Sequence, residues 1–196
     1  MTTLFLVRHA EKDGPPSLLS ARAPGHGLTA AGREAARHIA DALSAESIAR
    51  VLSSPLARAR ATAAPTAERL GVELEISAAL ADIDYGEWTD RTVESIADSE
   101  AWRRYHAFRS GTRIPGGELL VEVQARVVSE LLAAAQARDG NVALFSHGDP
   151  IRLALAWCCG APIDLFDRFE IDYASVTTIV LTDTGPRIRE VNRRIA

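Results

Sequence analysis

Leu4-Phe5-Leu6-Val7-Arg8-His9 is a short apolar run that stops at a guanidinium and an imidazole. A continuous run of this length reads as a buried strand, which places Arg8 and His9 at its carboxyl end. Val142 to Phe145 repeats the form and leads into Ser146-His147-Gly148-Asp149-Pro150. There Asp149 is the expected N-cap, and Pro150 the first-turn residue, of a helix reaching about Cys159. Between these strands the spacing predicts an Ala-rich helix from Thr29 to about Ala45, a strand over Arg50 to Ser53, and a helix from Pro55 to Leu70. Gly71 would stop that helix, and Pro65 is expected to kink or split it. Glu73 to Ile76 alternates as a third strand. Val93 to Phe108 and Leu119 to Arg138 look helical across the Pro115-Gly116-Gly117 breaker, and Val176 to Thr182 and Ile188 to Val191 finish as strands. Strands alternating with helices imply an α/β fold: a three-layer α/β/α sandwich with a mostly parallel central sheet, whose ligands sit at the carboxyl ends of the strands. Residues 82 to 118 are expected to form a small helical lid on it.

The chain has 196 residues, 47% hydrophobic and 24% charged. Length and composition favour one domain, 1 to 196, and exclude wholesale disorder. Lys plus Arg is 22 against 26 for Asp plus Glu, so no global positive field exists to hold a nucleic-acid backbone. Lys12 is the only lysine, so each arginine must be judged by position. Cysteine occurs only as the neighbours Cys158 and Cys159, expected to be packed thiols, which suits a reducing compartment better than a disulfide framework or zinc site. Met1 to Val7 is too short for a signal peptide, and no 18 apolar residues run together. The expectation is a soluble, cytoplasmic protein without membrane or nucleic-acid partners.

Arg8 and His9 follow the first strand, Arg58 the second, and His147 the fourth. In a parallel sheet those ends share one edge, so two imidazoles and two guanidiniums can line one cationic pocket. Arginine forks bind phosphate oxygens, and the helix beginning near Gly148 adds amide donors and a positive dipole end. A phosphoryl group is the fitting guest. Arg37-His38 repeats the dipeptide inside a helix and serves as a control; it reads as a solvated face.

These residues lie in stretches that resemble a known family: Leu-Val-Arg-His-Ala-Glu at 6–11, Ser-Ser-Pro-Leu-Ala-Arg-Ala-Arg-Ala-Thr-Ala at 53–63, and Ser-His-Gly at 146–148. The family is the histidine phosphatase superfamily, also called phosphoglycerate mutase-like. Asp82-Ile83-Asp84-Tyr85-Gly86-Glu87-Trp88 and Pro115-Gly116-Gly117-Glu118 resemble segments of its bacterial phosphatase branch. The resemblance implies that His9 attacks phosphorus while Arg8, Arg58 and His147 hold the equatorial oxygens, with Gly148 at the helix start beside them. The same roles suit a neutral imidazole nucleophile and a reaction catalysed by positioning and charge stabilisation. No cofactor is implied. Arginines beside the candidate ligands His9 and His147 would repel a dication, so a metal-dependent hydrolase is disfavoured.

The resemblance places a general acid, usually glutamate, at Asp82. Aspartate is a methylene shorter and slightly more acidic, and Asp84, two residues on, competes for the role. The Pro- and Gly-rich stretch from Asp13 to Gly27 reads as the site rim. It lacks the polar residues with which mutases of the family hold a carboxylate, so a phosphomonoesterase acting on a small phosphorylated metabolite is preferred. A phosphoglycerate mutase, a phosphohistidine protein phosphatase and a noncatalytic phospholigand binder are the rivals, and a homodimer is plausible from relatives. Glu11 and Lys12 are placed at the pocket mouth and His26 near substrate, with a solvated loop as the equal alternative for each. Trp88, Trp102, Tyr105 and Phe108 form either an apolar wall over the substrate or a packing face, and Trp157 is assigned to the core.

Overall fold

A computed structural model describes residues 1–15, 17–136 and 140–195. Six strands form one sheet: β1 (Thr2–Arg8), β2 (Ile48–Ser53), β3 (Leu74–Ile76), β4 (Asn141–Ser146), β5 (Ser175–Thr182) and β6 (Gly185–Arg194), in the order β3-β2-β4-β1-β5-β6. The β1–β4, β2–β3 and β2–β4 pairs are parallel, whereas β5 runs antiparallel to both β1 and β6. Helices cover both faces, as near-continuous apolar strands require. Leu4, Leu6, Leu52, Val142 and Leu144 pack on one side with α5 (Leu120–Gln136) and α6 (Gly148–Cys159). Phe5, Val7, Val51, Ala143 and Phe145 pack on the other with α1 (Ala30–Leu43) and α2 (Ala57–Leu70). Each enclosed Leu, Ile or Phe contributes about 1.5–3 kcal/mol relative to exposure.

The termini follow the expected chemistry with instructive exceptions. Thr29 caps α1 by accepting from the Gly32 N–H, and Gly71 ends α2 in the left-handed conformation. Helix α2 begins at Ala57, not Pro55, and passes Pro65 unbroken. His147, not Asp149, occupies the N-cap of α6, because the helix starts one residue after the site histidine. The expected Val93 to Phe108 helix divides into α3 (Val93–Ile96) and α4 (Glu100–Ala107), since Ser99 accepts from Trp102 N–H and starts a new helix. Strand β6 is longer than the expected Ile188 to Val191, extended by its pairing with β5. Helix α5 is described to Gln136; its expected end at Arg138 lies outside the described residues. No helix among the described residues is long and apolar enough to cross a membrane.

Within the segment expected as a lid, Trp88 and Tyr105 are buried in the main core, and Trp88 meets both Tyr105 and Trp102 edge-on. These aromatics are the packing face of the segment, and Phe108 points to solvent. Trp157 is half-buried rather than core; Cys158 packs against the core, but Cys159 is exposed.

Candidate active site

Parallel β1 and β4 end side by side, with Arg8 opposite Ser146, so the backbone N–H of His9 donates to the Ser146 carbonyl at 3.0 Å. That register brings His9 and His147 together, with ring centroids 5.0 Å apart. Strand β2 ends on the same edge, and α2 after it carries Arg58 into the group, almost wholly buried. The control pair Arg37-His38 lies exposed on α1.

His9 is buried, and its Nδ1 lies 2.8 Å from the Ala10 carbonyl, which can only accept. The ring proton therefore sits on Nδ1. Nε2 keeps its lone pair and accepts from Arg58 Nε–H at 3.2 Å. Burial, followed by His147 and Arg58, pulls the His9 pKa well below the histidine range, so the imidazole is neutral and nucleophilic.

Arg58 also reaches the second expected reactive group. Its Nη2 donates to the Ala21 carbonyl at 2.7 Å and to Asp82 Oδ2 at 3.0 Å. Burial raises the Asp82 pKa despite the opposing pull of Arg58, which favours a carboxyl able to carry a proton. Asp84, its rival, caps the next turn by accepting from Gly86 N–H and pairs with Arg22, outside the pocket lining. The Asp82 loop is held from behind: Arg126 donates to the carbonyls of Ala79, Ala81 and Asp82, and Glu118 binds Arg126, Arg22 and the Asp84 N–H. The Tyr85-Gly86 turn docks backbone to backbone on Pro115 to Gly117; Gly86 has φ +47°, and a Cβ there would collide with the Pro115 carbonyl.

His147 approaches Asp82 from the other side, with Nδ1 3.5 Å from Oδ2. Ser54 Oγ accepts from Leu56 N–H and shares a hydrogen bond with His147 Nε2 at 2.8 Å. Burial and the guanidiniums of Arg58 and Arg8 depress this histidine too. Arg8 donates from Nη1 to the Ile171 carbonyl at 2.5 Å, while its guanidinium stacks 3.9 Å from the Tyr173 ring centroid. Gly148 starts α6 at the pocket wall, where a Cβ would make only ordinary contact with Arg8 Nε at 3.4 Å and Arg152 Nη1 at 3.5 Å.

The resulting cavity, about 240 Å³, brings together Arg8, His9, Arg58, Asp82 and Gly148, with His147 buried beside them. Arg8 Nε and His147 Nδ1, both buried, have no hydrogen-bond partner among the described residues, and neither does Lys12 Nζ. Arg8 Nε and Lys12 Nζ can only donate, and unsatisfied buried donors around one space suit an anion rich in acceptor oxygens. Of the loop residues given two readings, Lys12 does line the cavity; Glu11 accepts from Thr29 and His26 contacts Asp90, both outside its lining.

Tyr85, Asp149, Arg152 and Tyr173 also line it and were absent from the sequence-derived set. Tyr85 donates to Asp149 at 2.9 Å, and Arg152 to Asp149 at 2.7 Å. Spacing after Asp149 could have flagged Arg152, one turn along α6. Tyr173 reaches the site only because β5 is antiparallel, so its start, not its end, lies beside the end of β1.

Sequence and structure comparisons agree with this architecture. The description "Histidine phosphatase superfamily (branch 1)" matches residues 4–194. The chain is 30% identical to phosphoserine phosphatase 1 of Hydrogenobacter thermophilus over 98% of its length and 92% of that protein. It is 28% identical to the Salmonella choleraesuis protein named "Probable phosphoglycerate mutase GpmB", covering 91% of this chain and 85% of that one. Among solved structures, the alpha-ribazole phosphatase of Shigella flexneri superposes with TM-score 0.88 at 25% identity, covering 98% of this chain and 97% of that one. A mycobacterial glucosyl-3-phosphoglycerate phosphatase does so with TM-score 0.84 at 25% identity, covering 98% and 99%. The chain belongs to the histidine phosphatase superfamily, branch 1. Within it, the chain is an enzyme of the histidine phosphatase type, a phosphoric monoester hydrolase.

Proposed function

We propose that the protein hydrolyses a small phosphorylated metabolite through a phosphohistidine on His9, without needing a metal. The reading is carried by one observation: His9, with its Nε2 unprotonated, lines a small cavity together with Arg58 and Arg8, whose buried Nε lacks a partner among the described residues. Nε2 forms the N–P bond as the P–O ester bond breaks, and Asp82 gives its proton to the departing alkoxide. Water then attacks phosphorus, Asp82 takes its proton, the N–P bond breaks and phosphate leaves. Arg8, Arg58 and His147 stabilise the equatorial oxygens throughout, the two guanidiniums supplying the positive charge such reactions require.

Hydrolysis of an aryl phosphate in the presence of a chelator tests the reading. The wild type should turn over and His9→Ala should not; full activity of His9→Ala would contradict it. Because one relative carries a mutase name, isomerisation of 3-phosphoglycerate with bisphosphoglycerate is the companion assay. Net hydrolysis without isomerisation is expected; efficient isomerisation would favour the mutase.

A further inference from the structure

We infer that Lys12 is a further catalytic residue, its ammonium binding a nonbridging oxygen of the phosphoryl group that transfers to His9. The inference rests on the phosphohistidine reading of the pocket. Lys12 is the only lysine in the chain, is 7% exposed, and lines the cavity with Arg8, His9, Arg58 and Asp82. Its backbone is pinned by a bridge to Leu28 and by the next residue, whose N–H donates to Gly27 at 2.9 Å. Nζ has no hydrogen-bond partner among the described residues. Enclosing an ammonium without an acceptor is strongly unfavourable, so such a group is retained where an anion arrives to meet it.

Charge pairing identifies that anion. Four cations line the cavity: Arg152 is paired with Asp149 at 2.7 Å, and Arg58 donates at 3.0 Å to Asp82, the carboxyl proposed to carry a proton. Among the described residues Arg8 and Lys12 have no carboxylate partner, and His9 and His147 are held neutral. With Asp82 protonated, Lys12 joins Arg8 and Arg58 as charge facing a phosphate monoester, which is a dianion above its second ionisation, near pH 6. After burial itself, Arg58 and Arg8 are the strongest influences lowering the Lys12 pKa.

Lys12→Met keeps the unbranched stem to within one atom and removes the charge. Its kcat/KM should fall about 100-fold, equally for an aryl phosphate and for a phosphate ester bearing a carboxylate. Vanadate inhibition should weaken by about 10-fold or more, and Lys12→Arg should recover part of both. The thermal midpoint without phosphate should be no lower than wild type, since a buried unpaired charge has been removed. A loss confined to the carboxylate-bearing substrate, unchanged vanadate inhibition, or a lowered midpoint with unchanged kinetics would each overturn the assignment. If the wild type neither hydrolyses esters nor forms a phosphoenzyme, the phosphatase reading fails instead. Phosphate binding by wild type and Lys12→Met still separates the two cases: equal binding removes Lys12 from the anion site, and weaker binding keeps it there.

Discussion

The Nε–H of Arg58 donates to Nε2 of His9 across 3.2 Å, so the same contact that orients the proposed nucleophile also marks which nitrogen bears its lone pair. The other arm of that guanidinium holds Asp82, the expected proton donor, at 3.0 Å. One side chain thus sets nucleophile and acid in a common frame. Its donors are fixed by planarity, which a lysine ammonium cannot reproduce. Arg58→Lys is therefore expected to lose about 100-fold or more in kcat/KM despite keeping the charge. Steady-state kinetics check this; near-wild-type activity would mean that charge alone suffices.

Asp82 should reveal itself through the leaving group. Asp82→Asn removes the proton donor, so esters of ordinary alcohols should slow by about 100- to 10,000-fold, whereas an aryl phosphate with an acidic phenol should slow far less. Equal losses on both would assign Asp82 a purely structural part. Because burial raises its folded pKa, the stability tied to this carboxyl is full below its unfolded pKa and lost as pH rises through the folded value. Asp82→Asn should accordingly be no less heat-stable than wild type at pH 7.

The two buried imidazoles impose the opposite sign. Both have folded pKa values well below the unfolded one, so below about pH 6.5 the unfolded chain takes up protons that the native pocket refuses. Stability should fall from pH 6.5 toward pH 5, by at most about 1.4 kcal/mol per pH unit for each histidine. Chemical denaturation across that window measures it, and His9→Gln/His147→Gln should flatten the slope. An unchanged slope in the double variant would place the titration elsewhere.

Tyr173 acts on the chemistry through Arg8, whose guanidinium it stacks at 3.9 Å. A contact of this kind is worth about 0.5–2 kcal/mol. Tyr173→Leu should lower kcat/KM by roughly 3- to 30-fold with weaker phosphate inhibition, and Tyr173→Phe should restore both, because the ring and not the hydroxyl is needed. Failure of phenylalanine to rescue would make the hydroxyl the working part.

Legibility followed the range of the forces involved. Strand ends were readable because apolar runs stop abruptly at Arg8 and His147, and parallel pairing brings such ends together without further information. The Arg37-His38 control shows that position within an element, not the dipeptide, carries the meaning. The direction of β5 is set by long-range pairing with β1, which leaves no local trace; with it went Tyr173 and the Ile171 carbonyl that anchors Arg8. The choice of Asp82 over Asp84 depends on Arg58 and His147 meeting one carboxylate, which spacing alone could not distinguish. Locally, Ser99 divides the expected helix after Val93, a capping choice masked by the helical pattern on either side.

Rapid acid-free quenching during turnover, followed by phosphorus NMR or intact-mass analysis, tests the central claim most directly. The expected species is a single phosphoryl group, labile in acid and stable in base, on Nε2 of His9, absent from His9→Ala and longer-lived when Asp82 is replaced by Asn. Turnover that leaves no phosphoryl group on the wild-type protein, or one borne by another residue, would contradict the account.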